Sequence, residues 1–446
     1  MKKFCGLTGT ILSFLIFALI LALILAACSK NSTPGVYFLN FKPELDKQWQ
    51  DTAAQFTGET GIPMKVVTAA SGTYEQTLRA EMTKAKPPTL FNLNGPVGMQ
   101  AWQDYTADLS GSKIYEWLGD KGLAIGEDGK IYGIPYAIES YGIIYNDAIL
   151  RKYFALPSRA VNDIRYAGGI TNFTKLKAVV EDSQANAAAL GIAGAFASTS
   201  FSPGEDWRWN THLANMPIYF EYRQKNVNDL AVIDLIYSEN FKNIFDLYIN
   251  NSITNRRMTG SKTVGDSMTE FALGKVAFIQ NGTWSWPQIA NETGNVVDQQ
   301  DIKFLPIYTG VDGEETQGLC VGTENFITVN SRVSQEEQDA SLKFLEWLFG
   351  TDNGKKLASG SLGLITPFTT FSAEELPSDP LIKEMYRYLN EPGINSVPWV
   401  FTTFPSQEFK NELGAALNAY TVGTQDWDYV KTTFINSWAA EKKVNQ

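Results

Sequence analysis

The stretch VYFLNFKPELDKQWQDTAAQFTGETGIPMKVV, residues 36–67, changes its hydrophobic period twice. Its first part, residues 36–41, is a short apolar run that is typical of a buried strand. Residues 44–57 then carry apolar side chains at helical spacing, and glycines follow them. Residues 62–67 form a second short apolar run. Because a strand, a helix and a strand follow one another so closely, the stretch predicts a parallel β-α-β unit.

The same alternation continues beyond this unit. Residues 73–85 have the pattern of a helix that Pro87-Pro88 would end, and residues 89–94 form a third apolar run. The order β-α-β-α-β predicts an α/β fold. Asp128-Gly129 stands between two short apolar runs and predicts a hairpin.

Further helices are predicted near the middle and in the second half of the chain. Ser334 and Glu337 have the spacing of a capping box, so they predict the start of a helix that ends at Gly350. Residues 264–275 have the pattern of a helix that would end at Gly274. We find no internal repeat and no low-complexity segment.

Residues 274–286, GKVAFIQNGTWSW, place two indoles just beyond a strand. The run 276–279 predicts a buried strand, and Asn281-Gly282 predicts a turn after it. Ligands of α/β sheets bind outside the carboxyl ends of the strands, which is where Trp284 is expected. Trp286 follows two residues later, and we expect it to face the other way and to pack within the fold.

The N-terminus has the composition of a secretory signal. Two lysines precede the uncharged run 11–25, and Leu25-Ala26-Ala27-Cys28 follows it. This order resembles the bacterial lipobox, in which cleavage leaves a lipid-bearing cysteine at the new N-terminus. We therefore expect residues 1–27 to be a signal peptide, Cys28 to be lipidated, and residues 28–34 to be a flexible tether.

Charge and cysteine content exclude several classes of protein. The formal net charge is −11, and removal of the signal would make it two units more negative, which argues against a nucleic-acid partner. With Cys5 in the signal and Cys28 lipidated, Cys320 is alone and is expected to be a buried apolar residue. His212 is the only histidine, so we expect no metal site and no other cofactor.

Several segments, taken in order, resemble one known family. They are the lipobox, the first β-α-β-α-β run, GIPYAIESYGIIYN (133–146), GKVAFIQNGTWSW (274–286), FLPIYTG (304–310) and VGTENFITVN (321–330). Together they are similar to the extracellular solute-binding proteins of carbohydrate ABC transporters, the broad group that includes maltose-binding protein. The resemblance covers essentially the whole mature chain.

The resemblance implies two α/β lobes, each a sheet flanked by helices, with a hinge between them and a ligand cleft. Carried onto this sequence, the first lobe comprises residues 35–139 and 303–350. The second comprises residues 140–302 and 351–446. The implied partners are a carbohydrate and the permease subunits of an ABC importer. The implied location is the outer face of the bacterial cell membrane, on the periplasmic side in a Gram-negative cell, where the protein is held as a monomer by its N-terminal lipid.

A sugar site needs flat apolar surfaces for ring C–H groups and amide or carboxylate groups for hydroxyls. Trp284 matches the family position at which an aromatic side chain stacks on a sugar. Glu139 lies at the expected hinge, where it either accepts ligand hydroxyls or stabilises the hinge. Asn94 and Asn40 end predicted strands, and a helix cap is the alternative role for Asn94.

Two further aromatic candidates come from loops of the expected second lobe. They are Trp207, in GEDWRWNTHLAN, and Trp399, in SVPWVFTTFP. Alignment of these two regions with the family is loose, so the number of sugar subsites stays open.

Two other functions remain as alternatives. A polyamine or another small solute could bind in a cleft of the same fold. The other alternative is a lipid-anchored carbohydrate hydrolase. The block GDSM (265–268) resembles the serine motif of an esterase family, and such a serine would need a general base within reach. A glycosidase would instead need two carboxylates at a set separation. Since His212 is the only histidine and Trp209 stands where an Asp partner would be needed, we expect a binding protein with no catalytic residues.

Overall fold

The computed structural model of the chain describes residues 34–444 with the exception of residues 71 and 378. The predicted signal, Cys28 and most of the predicted tether lie outside these residues. The strands of this part of the chain form two six-stranded sheets, and helices flank both of them. The predicted α/β fold class with two lobes is confirmed.

Twelve strands are found in the described part of the chain. They are β1 Val36–Asn40, β2 Met64–Thr68, β3 Leu90–Asn94, β4 Ile125–Glu127, β5 Lys130–Pro135, β6 Glu139–Asn146, β7 Gly194–Phe196, β8 Val276–Gly282, β9 Ile302–Leu305, β10 Gln317–Gly322, β11 Asn325–Val329 and β12 Asn395–Pro398.

The α-helices of the same residues connect and cover these strands. They are α1 Asp46–Thr60, α2 Tyr74–Met82, α3 Gly95–Trp102, α4 Lys113–Trp117, α5 Asp147–Ala155, α6 Phe173–Ala185, α7 Ala187–Leu190, α8 Asn215–Lys225, α9 Ser238–Asn250, α10 Val264–Ala272, α11 Trp286–Asn291, α12 Gln335–Gly350, α13 Asp352–Lys356, α14 Pro380–Asn390, α15 Gln407–Val422 and α16 Trp427–Val444.

The first sheet has the strand order β2-β1-β3-β11-β5-β4. β1 pairs in parallel with both β2 and β3, as the β-α-β-α-β pattern predicted. β4 and β5 form the predicted hairpin, and Asp128 and Gly129 both take positive φ angles in its turn. β11 enters this sheet from far along the chain and pairs antiparallel with β3 and β5.

The second sheet has the order β12-β10-β6-β8-β7, and β9 also pairs with β6. The central strand β6 is antiparallel to β8, β9 and β10. Two predicted helix boundaries, one at the start of α12 and one at the end of α10, are confirmed. Ser334 and Glu337 form the capping box of α12, and Gly274 takes a positive φ angle just after α10.

The sheet pairings correct the predicted lobe boundaries. The expectation that the chain re-enters the first lobe at residue 303 was wrong, because β9 and β10 both pair with β6 in the second sheet. The return is made at 323–325, between β10 and β11. FLPIYTG (304–310) is therefore not a hinge crossing.

The second boundary also differs from the expectation. Residues 351–371 follow α12 and pack into the core of the first lobe through Ala358, Leu362 and Phe368. Within this segment the side chain of Ile365 packs with α14 in the core of the second lobe, but Phe368 packs in the first lobe again. Long-range strand pairing and packing decide these boundaries, and neither leaves a local sequence signal.

Three crossing segments meet at the hinge. The backbone N–H of Tyr136 donates to the carbonyl of Asn325 at 3.1 Å, and that of Ile138 donates to the carbonyl of Ile365 at 2.7 Å. The predicted hinge at the start of β6 is thus part of a wider junction.

The predicted turn at Asn281-Gly282 is not formed. β8 continues to Gly282, and Gly282 pairs with Tyr141 of β6. The strand is longer than predicted because ladder pairing with β6 outweighs the local turn preference of the Asn-Gly pair. Trp284 still follows the strand directly, in a 3₁₀ turn over Thr283–Ser285.

Within residues 34–444, apart from residues 71 and 378, no helix has the length and apolar character needed to cross a membrane.

Candidate functional site

The two lobes touch each other across the cleft, and two of these contacts involve glycines. Gly72 and Gly204, both with positive φ angles, bring their backbones so close that an added Cβ on Gly204 would lie 2.8 Å from the Cα of Gly72. At the second place, a Cβ on Gly95 of α3 would lie 3.8 Å from the Cβ of Glu324 and 4.0 Å from the Cγ2 of Thr402. The structure therefore has a closed arrangement of the lobes.

Six aromatic side chains lie together on the second-lobe side of this cleft. This aromatic cluster consists of Tyr141, Trp207, His212, Trp284, Trp399 and Phe401. The rings of Tyr141 and His212 stack at 4.2 Å with an interplanar angle of 7°. Trp284 lies 5.5 Å from His212 and 6.1 Å from Trp207, measured between ring centroids. The sequence contributes these rings from four separate regions.

Trp284 has a position that the backbone makes possible. A Cβ on Gly282 would lie 2.2 Å from the indole, so the ring packs directly over a residue without a side chain. The ring is half-buried and belongs to the edge of the second-lobe core. From the first lobe, the Nζ atom of Lys42 approaches the indole to 5.8 Å from the ring centroid. Trp284 thus lies between the two lobes.

Glu139 is held by two partners at the hinge. Lys42 Nζ donates to its Oε1 at 2.6 Å, and Asn325 Nδ2 donates to its Oε2 at 2.5 Å. The side chains of Lys42 and Glu139 are only 8% and 13% exposed. Burial lowers the pKa of Lys42, but Glu139 and Glu44 outweigh it, so that the pKa is raised overall. Of the two predicted roles for Glu139, this geometry favours the stabilisation of the hinge.

A cavity lies beside this ion pair, on the hinge side of Trp284. Its polar lining includes Lys42, Glu44, Glu139 and Thr283, and its apolar lining includes Pro287. Trp284 therefore contacts the cavity as well as the aromatic cluster. An apolar ring face next to carboxylates is an arrangement that can bind an amphipathic, hydroxylated solute.

Asn40 and Asn94 differ in whether their side-chain amides are already hydrogen-bonded within the described part of the protein. Asn40 is fully buried, and its Nδ2 donates to the carbonyl of Lys42 and to Thr68, while its Oδ1 accepts from the Lys42 backbone. Asn40 stays a predicted ligand residue, although its amide already forms hydrogen bonds in the turn after β1.

Asn94 precedes α3 but makes no side-chain capping bond. Its Oδ1 is buried next to Gly95 at the interlobe contact, and no group among the described residues donates a hydrogen bond to it. The alternative role as a helix cap is therefore not observed, and Asn94 stays a candidate ligand residue.

Trp207 and Trp399 both belong to the aromatic cluster, but with different exposure. Trp207 is half-buried at the start of a π-helical turn over Arg208–Leu213. Trp399 is only 5% exposed and packs against Gly322, and its buried Nε1 has no hydrogen-bond partner in the part of the chain that the structure describes. Both remain predicted ligand residues, of which Trp207 has the more accessible ring. Trp286 instead packs with the core around α10 and α14, as expected.

Sequence reasoning missed three cleft residues, namely His212, Lys42 and Lys410. Burial, followed by the charges of Lys410 and Arg208, holds the pKa of His212 well below its ordinary value, so the imidazole is neutral. The signal for His212 was its position in the segment GEDWRWNTHLAN, which also contains the candidate Trp207. The two lysines had none, because their neighbours are distant in sequence.

The serine of the GDSM block has no nucleophilic arrangement. Ser267 is fully buried in α10, accepts from Arg208 at 2.8 Å and donates to the carbonyl of Thr263. Cys320 is buried beside Met216, and burial raises the pKa of its thiol to about 12. The expectation of a buried cysteine is confirmed.

A model of the bacterial extracellular solute-binding protein family matches residues 51–384. This range includes both sheets apart from β1 and β12, together with Trp207, Glu139 and Trp284.

Solved structures with the same fold cover nearly the whole chain. A chitin oligosaccharide binding protein is 16% identical, with a TM-score of 0.69 over 92% of this chain and 98% of that chain. A sugar transporter protein from Bacillus licheniformis in complex with stachyose is 16% identical, with a TM-score of 0.67 over 91% and 100%. The maltose-bound MalE3 of T. maritima is 15% identical, with a TM-score of 0.66 over 92% and 99%.

Proposed function

Because the chain belongs to the bacterial extracellular solute-binding protein family, we propose that it captures a carbohydrate between its lobes and delivers it to an ABC importer. One observation carries the choice of ligand. The half-buried rings of Trp207 and Trp284 lie together at the cleft, and the cavity beside Trp284 is also lined by the carboxylates of Glu44 and Glu139. Neighbours with this fold include proteins with chitin oligosaccharide, stachyose and maltose, which supports the same ligand class here.

The chemistry of the cleft fits a neutral sugar better than a polyamine. A cationic ligand would have to compete with Lys42 for Glu139 and Glu44, and Lys42 already lies 2.6 Å and 3.9 Å from these carboxylates. A sugar needs no such displacement, because its C–H face packs on indole and its hydroxyls both donate and accept.

A binding screen tests this function. We expect at least one of raffinose, stachyose, maltose, maltotriose and chitotriose to raise the melting temperature. At a sugar concentration of 100 times its dissociation constant, the free energy of unfolding should increase by about 2.7 kcal/mol. Isothermal titration at low and high salt should give similar affinities for a neutral sugar. Spermidine binding with strong salt dependence would identify the polyamine alternative, and release of reducing ends from the sugars would identify a hydrolase.

The protein acts, in this proposal, outside the cell membrane as a lipid-anchored monomer. The support is the leader sequence and its Leu25-Ala26-Ala27-Cys28 ending. The strand pairings and core packing support a first lobe of residues 34–138 and 323–371 and a second lobe of residues 139–322 and 379–444.

Cys28→Ala should abolish lipid attachment and release the protein from the membrane fraction, because the variant lacks the thiol that would carry the lipid. The measurement is metabolic labelling with a radioactive fatty acid, followed by fractionation. Cys320→Ala is the matched control and should be labelled normally. Equal labelling of Cys28→Ala and the parent would contradict the anchor.

Gly204→Ala should weaken sugar binding by about tenfold. The closed arrangement brings the backbones of Gly72 and Gly204 into contact, so an added methyl group must push the lobes apart. A penalty of about 1.4 kcal/mol on the closed form lowers its population, and therefore the affinity, tenfold. Titration gives the affinity, and small-angle scattering should show a larger radius of gyration for the sugar-bound variant than for the sugar-bound parent.

Gly191→Ala is the control for this prediction. Gly191 has a similar positive φ angle of 73°, but no atom lies within 4 Å of its added Cβ. Both substitutions therefore carry the same backbone strain, and only Gly204→Ala obstructs closure. Equal affinities for the two variants would mean that the glycine contact does not limit closure.

A further inference from the structure

Lys410, near the start of α15, is a buried cation without a counterion. Its residue is only 5% exposed, and its Nζ lies 5.8 Å from the centroid of the Phe401 ring in the aromatic cluster. Across residues 34–444, apart from 71 and 378, its ammonium group makes no ion pair and no hydrogen bond. Lys42, the other buried cleft lysine, differs in this respect, because it is paired with Glu139.

Such an ammonium group is costly in the fold. A buried charge is normally paired and hydrogen-bonded, since desolvation without compensation is strongly unfavourable. Burial lowers the pKa of Lys410, although the charges of Glu324 and Glu75 oppose that change. A residue that costs stability and lies at the ligand cleft is best explained by a partner that arrives with the ligand.

Glu324 lies on the hinge crossing between β10 and β11, and its charge acts on Lys410. It lies at the interlobe contact where Gly95 and Thr402 meet, and Thr402 follows Phe401 directly. In the described part of the chain, the Glu324 carboxylate also makes no ion pair and no hydrogen bond. Burial raises its pKa, and Lys410 acts in the opposite direction. The two charged groups influence each other electrostatically but form no ion pair with each other, so both keep free hydrogen-bonding capacity at the cleft.

We propose that Lys410 and Glu324 together bind two neighbouring hydroxyl groups of the sugar, with Lys410 donating hydrogen bonds to their oxygens and Glu324 accepting hydrogen bonds from their O–H groups. This inference rests on the proposed carbohydrate function and names the residues that select among sugars. An ammonium group only donates and an ionised carboxylate only accepts, whereas a hydroxyl does both. Two adjacent hydroxyls can therefore satisfy both charged groups at once, without a charge on the ligand.

The pair also explains why the ligand should be neutral. A carboxylated sugar would satisfy Lys410 but would meet Glu324 and Glu75 as like charges. A cation would satisfy Glu324 but would meet Lys410. A neutral polyhydroxylated ring can form hydrogen bonds with both groups, and it is not repelled by either charge.

Lys410→Met tests the proposal on the best sugar of the panel above, by isothermal titration. Methionine keeps the length of the side chain and removes the donor, so the affinity should fall about 10- to 100-fold, as for the loss of a hydrogen bond to a charged group. The melting temperature without sugar should stay the same or rise, because an unpaired buried charge is removed. Glu324→Gln should also weaken binding, since an amide replaces one acceptor oxygen with a donor.

Lys225→Met is the matched control within the same lobe. Lys225 donates to the fully buried Glu221 at 2.7 Å and to Asp234 at 2.6 Å, and it lies on α8 away from the cleft. Its substitution should lower the melting temperature and leave the sugar affinity unchanged. The comparison distinguishes Lys225, which stabilises the fold, from Lys410, which in this proposal binds the ligand.

Monodeoxy derivatives of the same sugar decide between contact and indirect effects. For the derivative that lacks the contacted hydroxyl, Lys410→Met should cost little further affinity, whereas for the other derivatives the full loss should remain. An unchanged affinity in Lys410→Met, or an equal loss with the parent sugar and every derivative, would overturn the proposal. A parent protein that binds none of the panel would instead remove the carbohydrate function, and this inference with it.

Discussion

Glu139→Ala is expected to lower the free energy of unfolding by about 3–5 kcal/mol, because it leaves the buried Lys42 ammonium without its closest counterion. It also removes the acceptor for Asn325 Nδ2, which is buried at the same crossing. Glu44, at 3.9 Å from Lys42, is too far to replace a 2.6 Å contact. Urea and thermal denaturation of the protein without ligand measure the effect.

Two further variants define the origin of this loss. Lys42→Met combined with Glu139→Gln should recover much of the stability, because no unpaired charge is then buried. Asp51→Ala breaks the Lys47–Asp51 pair, whose side chains are 82% and 62% exposed, and should change stability by less than about 1 kcal/mol. A Glu139→Ala protein as stable as Asp51→Ala would mean that the hinge does not depend on the ion pair.

Trp284→Ala is expected to weaken sugar binding by about 2–3 kcal/mol, or roughly 30- to 150-fold. The indole packs over Gly282 and lies between Lys42 of the first lobe and Trp207 of the second. Trp284→Ala therefore removes a flat apolar surface of the second lobe that faces the first lobe in the closed arrangement. Trp284→Phe should keep part of the affinity, since a smaller ring still packs there. Isothermal titration of the folded variants gives the comparison.

Trp286→Ala is the control, because Trp286 packs within the second-lobe core two residues away. It should lower the melting temperature more than the affinity. Near-parental affinity in Trp284→Ala would mean that this indole only packs the lobe, and the sugar platform would then have to be Trp207 or Trp399.

The sequence by itself determined the features that short-range patterns encode. The alternation of apolar runs and helical spacing predicted the parallel pairing of β1 with β2 and β3. The capping box at Ser334 and the Asp128-Gly129 hairpin were also found, because their hydrogen bonds join residues close in the chain. Trp284 was expected beyond a strand end, and it does follow β8.

Only the tertiary structure decided which distant residues meet. It continued β8 through Asn281-Gly282, because pairing with β6 outweighs a local turn preference. It also moved 303–322 into the second sheet. Lys42 and Glu139 are 97 residues apart, and no periodicity in the sequence reports their contact. Charge pairing and ring stacking depend on distances in space. The cleft brings together side chains that are far apart in the chain, and the local sequence around each of them does not indicate which others it will contact.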